Sequence, residues 1–274
     1  MRFKSILIAF FSFVYIAFIG ITSAAMFCIA FLIKCLTFFF DKRLIILNLF
    51  SSFWASLYIW CMPMWRVRIY GRNKLDMSKS YVFVSNHQSQ LDILVAYRLF
   101  FPFRWISKSE IFRLPFIGWN MILNGHVAIK RGNKHSVAQM MDQCEQLLKN
   151  NISIIIFPEG TRSKTGHVQP FKPGAFILAK NMKKPIQPLV INRTKNALPK
   201  HTMKLQKKTE MTLTVLDEIP YDEFKMLEVD QIAQMVREKI MFHVEEHKHE
   251  SLTAPAMCKD DILSKNIDTS LSSQ

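Results

Sequence analysis

Two long stretches without a single charge constrain this chain more than anything else in it. No Asp, Glu, Lys or Arg occurs between Lys4 and Lys34, and none between Leu44 and Trp65. Each stretch exceeds the roughly 20 apolar residues that carry a helix across a hydrocarbon core. The expectation is a membrane-embedded helical hairpin over residues 1–65. A cleaved secretory signal is the competing reading, because "MRFK" makes a basic start and "TSAA" offers small residues. The apolar run continues through "MFCIAFLI", however, well past a signal core. Basic residues flank the stretches on every side, so the positive-inside rule discriminates only weakly. A hairpin that spans with both ends cytoplasmic and one that dips into a single leaflet both fit.

Beyond the hairpin the pattern changes to alternation. "RVRIYG", "SYVFVSN", "FRWIS", "HVAIKR", "ISIIIFPEG", "PIQPLVI" and "EMTLTVLD" read as strands, several apolar enough to be buried on both faces. Between them lie helical spacings: "LDILVAYRLF", "LPFIGWNMIL", "SVAQMMDQCEQLLKN" ending in the stop signals Asn150 and Asn151, "GAFILAKNM" and "VDQIAQMVREKIMFHVEEH". Strands alternating with helices predict an α/β layer architecture, a mostly parallel central sheet flanked by helices, over residues 66–250. Residues 251–274, rich in Ser and short of periodicity, read as a disordered tail.

The net charge of +15 is unevenly placed. From Gly160 to Thr209 there is no acid, while Arg162, Lys164, Lys172, Lys180, Lys183, Lys184, Arg193, Lys195, Lys200, Lys204, Lys207 and Lys208 are basic. Beside apolar segments such a block predicts attraction to anionic membrane lipids, and the plain alternative is a solvated basic face. Nucleic-acid binding wants aromatic residues among the basic ones, and from Lys180 to Thr209 there is no Phe, Tyr or Trp. The five cysteines have no paired spacing, which predicts neither a disulfide framework nor a metal site and suits a reducing compartment.

Two short segments carry chemistry. "SNHQSQLD", Ser85 to Asp92, follows the apolar strand "YVFV", so Asn86 and His87 fall at the carboxyl edge of the sheet, where side chains face a crevice. Asp92, in the first turns of the next helix, is close enough to hold the His87 ring in one tautomer, leaving the other nitrogen to take a proton from an alcohol. Random placement gives about 0.3 such His-to-Asp spacings in a chain of this composition, so the spacing alone reads first as a helix-capping Asp beside a turn histidine. "FPEGTRS", Phe157 to Ser163, ends its own buried strand and belongs on the same edge. Gly160 lets backbone approach a ligand, Thr161 adds a hydroxyl and Arg162 offers a planar fork for phosphate. Glu159 is placed to orient Arg162 or to bond a substrate hydroxyl.

"NHQSQLD" and "FPEGTRS" together, in this order, resemble the glycerolipid (lysophospholipid) acyltransferase family typified by bacterial 1-acyl-sn-glycerol-3-phosphate acyltransferase. "SKSEIFRLPFIGWNM", with Lys108, Glu110, Pro115 and Gly118, and "KPIQPLVI", with Pro188, are similar to two weaker blocks of that family. The resemblance covers about residues 65 to 220. "GHVAIKR" keeps Arg131 at the family's phosphate-binding position but puts Lys130 where an acid or neutral residue is more usual.

The resemblance implies an enzyme that moves a fatty acyl group from a thioester to the free sn-2 hydroxyl of lysophosphatidic acid, giving phosphatidic acid in phospholipid synthesis. In it His87 is the base, Asp92 its orienter and Lys108 the oxyanion donor. Arg131, Glu159, Gly160, Thr161 and Arg162 bind the substrate phosphate, and Asn86, Pro158 and Pro188 support the motifs. The co-substrate is acyl-CoA or acyl-ACP, with no cofactor and no metal. The implied partners are the lysophospholipid, anionic lipids and acyl carrier protein, and the implied place is the cytoplasmic face of a membrane, the inner one in a bacterium. Lys130 leaves open another lyso-lipid, such as an amino-acid-containing one. The different-class alternative is a noncatalytic basic protein that docks on membranes or nucleic acid.

Overall fold

The computed structural model describes residues 2–163, 166–198 and 208–253. The chain starts with two apolar helices, α1 (Arg2–Thr37) and α2 (Ile45–Trp60), which lead into strand β1 (Trp65–Tyr70). Then come β2 (Val82–Ser85), α3 (Leu91–Tyr97), β3 (Phe103–Lys108), α4 (Ile117–Leu123), β4 (Val127–Ile129) and α5 (Lys134–Lys149). The second half holds β5 (Ser153–Ile156), α6 (Gly174–Asn181), β6 (Ile186–Asn192), α7 (Thr194–Ala197), β7 (Thr209–Val215), α8 (Tyr221–Phe224) and α9 (Val229–Thr253). Short 3-10 turns at Arg72–Lys74 and Ser109–Arg113 complete the elements.

The strands form one sheet in the order β1-β7-β6-β2-β5-β3-β4. β6 and β7 run antiparallel and every other neighbouring pair is parallel. The central strands are short β-branched runs, "VFVS", "SIII" and "IQPLVIN", and such chains pack well only where both faces are covered. β2 and β6 are buried at every position. Alternate side chains divide the core: Tyr81, Phe83, Ile155 and Leu189 face α1, α2, α3 and α7, whereas Val82, Val84, Ile154 and Val190 face α5, α6, α8 and α9. Asn133 begins α5 by accepting a hydrogen bond from Ser136 N–H at 3.0 Å, and Asn151 follows its end with a left-handed φ of 56°. Ordering strands in this way brings the carboxyl ends of β2, β5, β3 and β4 side by side along one edge.

The two apolar helices differ in kind, where the sequence led us to expect a matched hairpin. Phe13–Thr37 within α1 is long and apolar enough to cross a membrane, with a mean hydropathy of 2.5. α2 has only 16 residues and carries its polar side chains inward: Asn48, Ser51, Ser52 and Ser56 are all buried, while Ile46, Phe53 and Trp60 are exposed. Asn48 exchanges two hydrogen bonds with the backbone of Phe103, donating from Nδ2 at 2.9 Å and accepting at Oδ1 at 3.3 Å. Ser51 Oγ accepts from the side chains of Asn120 and Asn124. Buried Arg104 donates to the carbonyl of Arg43 in the turn between the helices at 2.8 Å. Hydropathy counts apolar residues without seeing that the few polar ones share a face, so it does not separate a docked helix from a spanning one. The predicted tail lies, from residue 254 on, outside the described residues, as do Lys164, Lys200, Lys204 and Lys207 of the basic block.

Candidate active site

Four loops meet at the carboxyl edge, one after each of β2, β5, β3 and β4. Between them lies a cavity of about 1010 Å³ whose wall includes His87, Lys108, Arg131, Pro158, Gly160, Thr161 and Arg162. Residues as distant in sequence as His87 and Arg162 thus share one space because parallel strands deliver their carboxyl ends together.

Directly after β2 the chain turns, and Asn86 fixes the turn. Its buried side chain donates to the carbonyl of Ile191 at 2.8 Å and accepts from the Ile191 amide at 2.9 Å, pairing with β6 as a backbone would. His87 follows. Its Nδ1 lies 2.7 Å from Asp92 Oδ2, and a carboxylate accepts, so Nδ1 carries the ring proton and Nε2 keeps its lone pair. Asp92 is wholly buried, and the same Oδ2 also accepts from the amides of Gln88 and Ser89, at 2.6 and 2.9 Å. Asp92, in the first turn of α3, therefore orients the histidine and closes the turn before the helix through two amides, while the helix start itself has no side-chain cap. Thr194, in α7, donates to Oδ1 at 2.5 Å and completes the shell.

The loop after β5 grips the His87 peptide from both sides. Glu159 Oε1 accepts from the His87 amide at 2.7 Å, and the Ser163 amide donates to the His87 carbonyl at 2.8 Å. Phe157 stacks on the imidazole with ring centroids 4.3 Å apart and planes inclined by 26°. The other oxygen of Glu159 accepts from the Gln169 amide at 3.1 Å. Burial raises the Glu159 pKa, and the two amide donors partly offset that. The sequence grouped Glu159 with the phosphate-binding residues; its carboxylate is instead committed to backbone and only 5% exposed, so it pins two loops together. A second carboxylate facing a phosphate would also repel it.

The cations sit around this pair. Arg162 is half-buried and Arg131 exposed, and neither has a hydrogen-bonding or ionic partner among the described residues. Lys108, at the end of β3, pairs with Glu110 at 3.0 Å, both about half exposed. Gly160 adopts φ +68°, which favours glycine, and Thr161 is exposed on the wall. Gly118 opens α4 where an added Cβ would collide with the carbonyl of Phe112, so the close turn there requires glycine. Pro188 lies inside β6, in register with Val84, and no β6 residue reaches the cavity. β6 instead holds Asn86, through the amide and carbonyl of Ile191. Phe171 and Phe176 stack on each other in the core, away from the cavity.

Apolar walls run down both faces of the sheet edge, with Ile93, Leu94 and Tyr97 on one side and Val137, Met140 and Ile177 on the other. Behind Tyr97, buried His126 accepts the Trp105 amide at Nδ1 and meets the tyrosine hydroxyl with Nε2 at 2.8 Å. Desolvation, assisted by the Arg104 charge, holds its pKa well below the usual histidine range. Among the described residues no three His, Cys, Asp or Glu side chains gather as metal ligands would.

Sequence reasoning missed Thr194, Phe157 as the stacking partner, and His126. Thr194 lies in a four-residue helix, too short to show a period, and its partner is 102 residues away. A base with a free nitrogen, unpaired cations and apolar walls in one cavity suit proton abstraction from an alcohol carried on an anionic, long-chain molecule.

Comparison with known proteins agrees. Residues 66–192 match the Acyltransferase family model. A 1-acyl-sn-glycerol-3-phosphate acyltransferase of Chlamydomonas reinhardtii is 33% identical over 203 residues, covering 73% of this chain and 59% of its own. A chloroplastic 1-acyl-sn-glycerol-3-phosphate acyltransferase of Brassica napus is 39% identical over 150 residues, covering 54% of this chain and 43% of its own. The chain thus spans about half the length of these curated relatives. The crystal structure of the 1-acyl-sn-glycerophosphate acyltransferase PlsC from Thermotoga maritima has the same fold, with a TM-score of 0.64 at 20% identity over 84% of this chain and 98% of that one.

Proposed function

We propose that this chain is a member of the acyltransferase family whose model it matches, and that it moves a fatty acyl group from an acyl thioester to the free sn-2 hydroxyl of lysophosphatidic acid, giving phosphatidic acid. The observation that carries the reading is the His87–Asp92 pair, 2.7 Å apart, opening on a cavity that holds Arg131 and Arg162 with no counter-ion among the described residues. The names of the relatives support the same acceptor.

In this reading His87 Nε2 takes the hydroxyl proton as the oxygen attacks the thioester carbonyl, and Asp92 stabilises the imidazolium that forms. The tetrahedral intermediate then collapses, expelling the thiolate, which recovers the proton from His87; ester and thiol are the products. A positioned base of this kind contributes about 10²–10⁴-fold. Lys108 stabilises the oxyanion after leaving Glu110, a partner it holds only at the surface. Arg131 and Arg162 clamp the phosphate, so that headgroup binding becomes placement of the hydroxyl. Gly160 and Thr161 shape the same clamp, and the apolar walls take the chains.

The donor is acyl-CoA or acyl-ACP, both anionic, drawn by the basic face that also meets anionic lipid. No cofactor enters any of these steps. α1 associates the chain with a membrane, and the α/β domain works on the cytoplasmic face, which in a bacterium is that of the inner membrane. Four described cysteines, Cys28, Cys35, Cys61 and Cys144, are free thiols and fit that side.

The test compares purified wild type, His87→Ala and Arg162→Ala for transfer of labelled acyl groups to lysophosphatidic acid, with both donors offered. The expected outcome is transfer by wild type, loss in His87→Ala and a raised acceptor KM in Arg162→Ala. Full activity in His87→Ala sinks the mechanism, and transfer only to a different lyso-lipid sinks the headgroup assignment.

A further inference from the structure

Lys172 belongs to neither of the two motifs, yet it stands on the cavity wall beside them. Its amide donates to the carbonyl of Pro158 at 3.0 Å, which fixes the backbone of 172 against the "FPEG" turn. Its Nζ lies 2.9 Å from the point that a Cβ on Gly160 would occupy. The lysine side chain therefore crosses the face of Gly160, and the missing Cβ is what leaves it room. Gly160 thus has a second use besides its left-handed φ.

The charges on the wall do not balance. Among the described residues Arg131, Arg162 and Lys172 line it with no ion-pair partner, and no described Asp or Glu reaches the lining. The nearby carboxylates are spent elsewhere, Asp92 on His87 and Thr194, Glu159 on two backbone amides, and Glu110 on Lys108. Three uncompensated cations match a group with two negative charges better than a group with one. A phosphate monoester has a second ionisation near pH 6 and is mostly a dianion at neutral pH, whereas a phosphodiester keeps a single charge.

We infer that Lys172 is a third phosphate-binding cation, which together with Arg131 and Arg162 makes the cavity select an acceptor carrying a phosphate monoester over one carrying a phosphodiester. The inference rests on the acyl transfer proposed above and adds to it the charge class of the acceptor. Lysine suits the part because a compact charge on a flexible stem follows a dianion of any orientation, while the two guanidinium groups hold fixed edges.

The experiment uses the full chain in detergent micelles, as wild type, Lys172→Met and Lys172→Arg. Binding of lysophosphatidic acid, a monoester, and of lysophosphatidylglycerol, a diester, is measured without donor, and transfer to each is then measured with acyl-CoA and with acyl carrier protein. Lys172→Met is expected to weaken binding of the monoester about tenfold and to raise its KM alike, with less than about twofold change for the diester, and Lys172→Arg to recover most of the loss. In wild type the monoester KM falls as pH rises through the second phosphate ionisation, and in Lys172→Met this slope flattens. Equal losses on both acceptors, or none, overturn the inference. Loss confined to acyl-CoA also overturns it, because coenzyme A carries a monoester that the carrier-protein donor lacks. Binding that discriminates in wild type but not in Lys172→Met, without any transfer, upholds the inference and defeats the reaction it was built on. Transfer without discrimination does the reverse.

Discussion

Thr194 Oγ1 donates to Asp92 Oδ1 at 2.5 Å, so the first residue of α7 holds the carboxylate that holds the histidine. Ser89 Oγ reinforces the link by donating to the Leu198 carbonyl at 2.7 Å, tying the same turn to the far end of α7. Thr194→Val removes the donor while keeping the shape. The expected result is a kcat lower by about tenfold or more, since a hydrogen bond to a charged group contributes about 1.5–3 kcal/mol, with little change in acceptor KM. Thr194→Ser restores activity to within about threefold. Steady-state kinetics of the three proteins check this, and equal rises in KM would point to a merely structural part.

Asn86 matches both hydrogen-bonding groups of Ile191 inside the sheet. Asn86→Ala leaves a buried amide and carbonyl unmatched, at a cost of about 2–4 kcal/mol. Thermal unfolding should fall by about 5–10 °C, and more than it falls for Gln90→Ala at the exposed end of the same turn.

Asn48 secures α2 to β3 through Phe103. Asn48→Leu keeps the helix apolar by composition but leaves the Phe103 amide unpaired, destabilising by about 1–3 kcal/mol. Hydrogen exchange should rise across α2 and β3 while β2 and β5 stay protected; uniform protection would show that apolar contact alone secures the helix.

His126 is buried neutral, with its pKa well below the usual histidine value. The unfolded chain therefore binds a proton below about pH 6.5 that the native chain refuses, so stability is full above that pH and declines as pH falls toward the depressed native pKa. The slope for one group is about 1.4 kcal/mol per pH unit. Unfolding measured from pH 7.5 to 5 should lose this slope in His126→Gln, which keeps an acceptor for the Trp105 amide; an unaltered pH dependence would remove His126 from the account.

The seven strands and the main helices were legible because each is a run with one period. "SIII" and "VFVS" announce burial on both faces, and α5 carries its own stop in Asn150 and Asn151, whereas its start at Asn133 emerged only in the fold. His87, Asp92 and Arg162 were legible because strand ends can be read locally and parallel order then brings them together. Thr194 was not, because nothing in "NRTKNA" reports a contact made 102 residues away. The inward face of α2 was hidden for a related reason. Four polar residues in an apolar helix look like dilution until the spacing of Asn48, Ser51, Ser52 and Ser56 is set against a partner surface. Glu159 was misassigned because a carboxylate beside an arginine reads as its partner, and only the fold reveals two amides already occupying it.

The His87 peptide is held at its amide by Glu159 and at its carbonyl by Ser163, and these two residues bracket Arg162. The jaw that carries the guanidinium and the jaw that carries the imidazole are therefore riveted to each other, and the span between them behaves as a calliper set to one opening. In the transfer proposed above, the distance from anion to hydroxyl is therefore gauged from a shared backbone frame, and only the Arg162 side chain is left to adjust it.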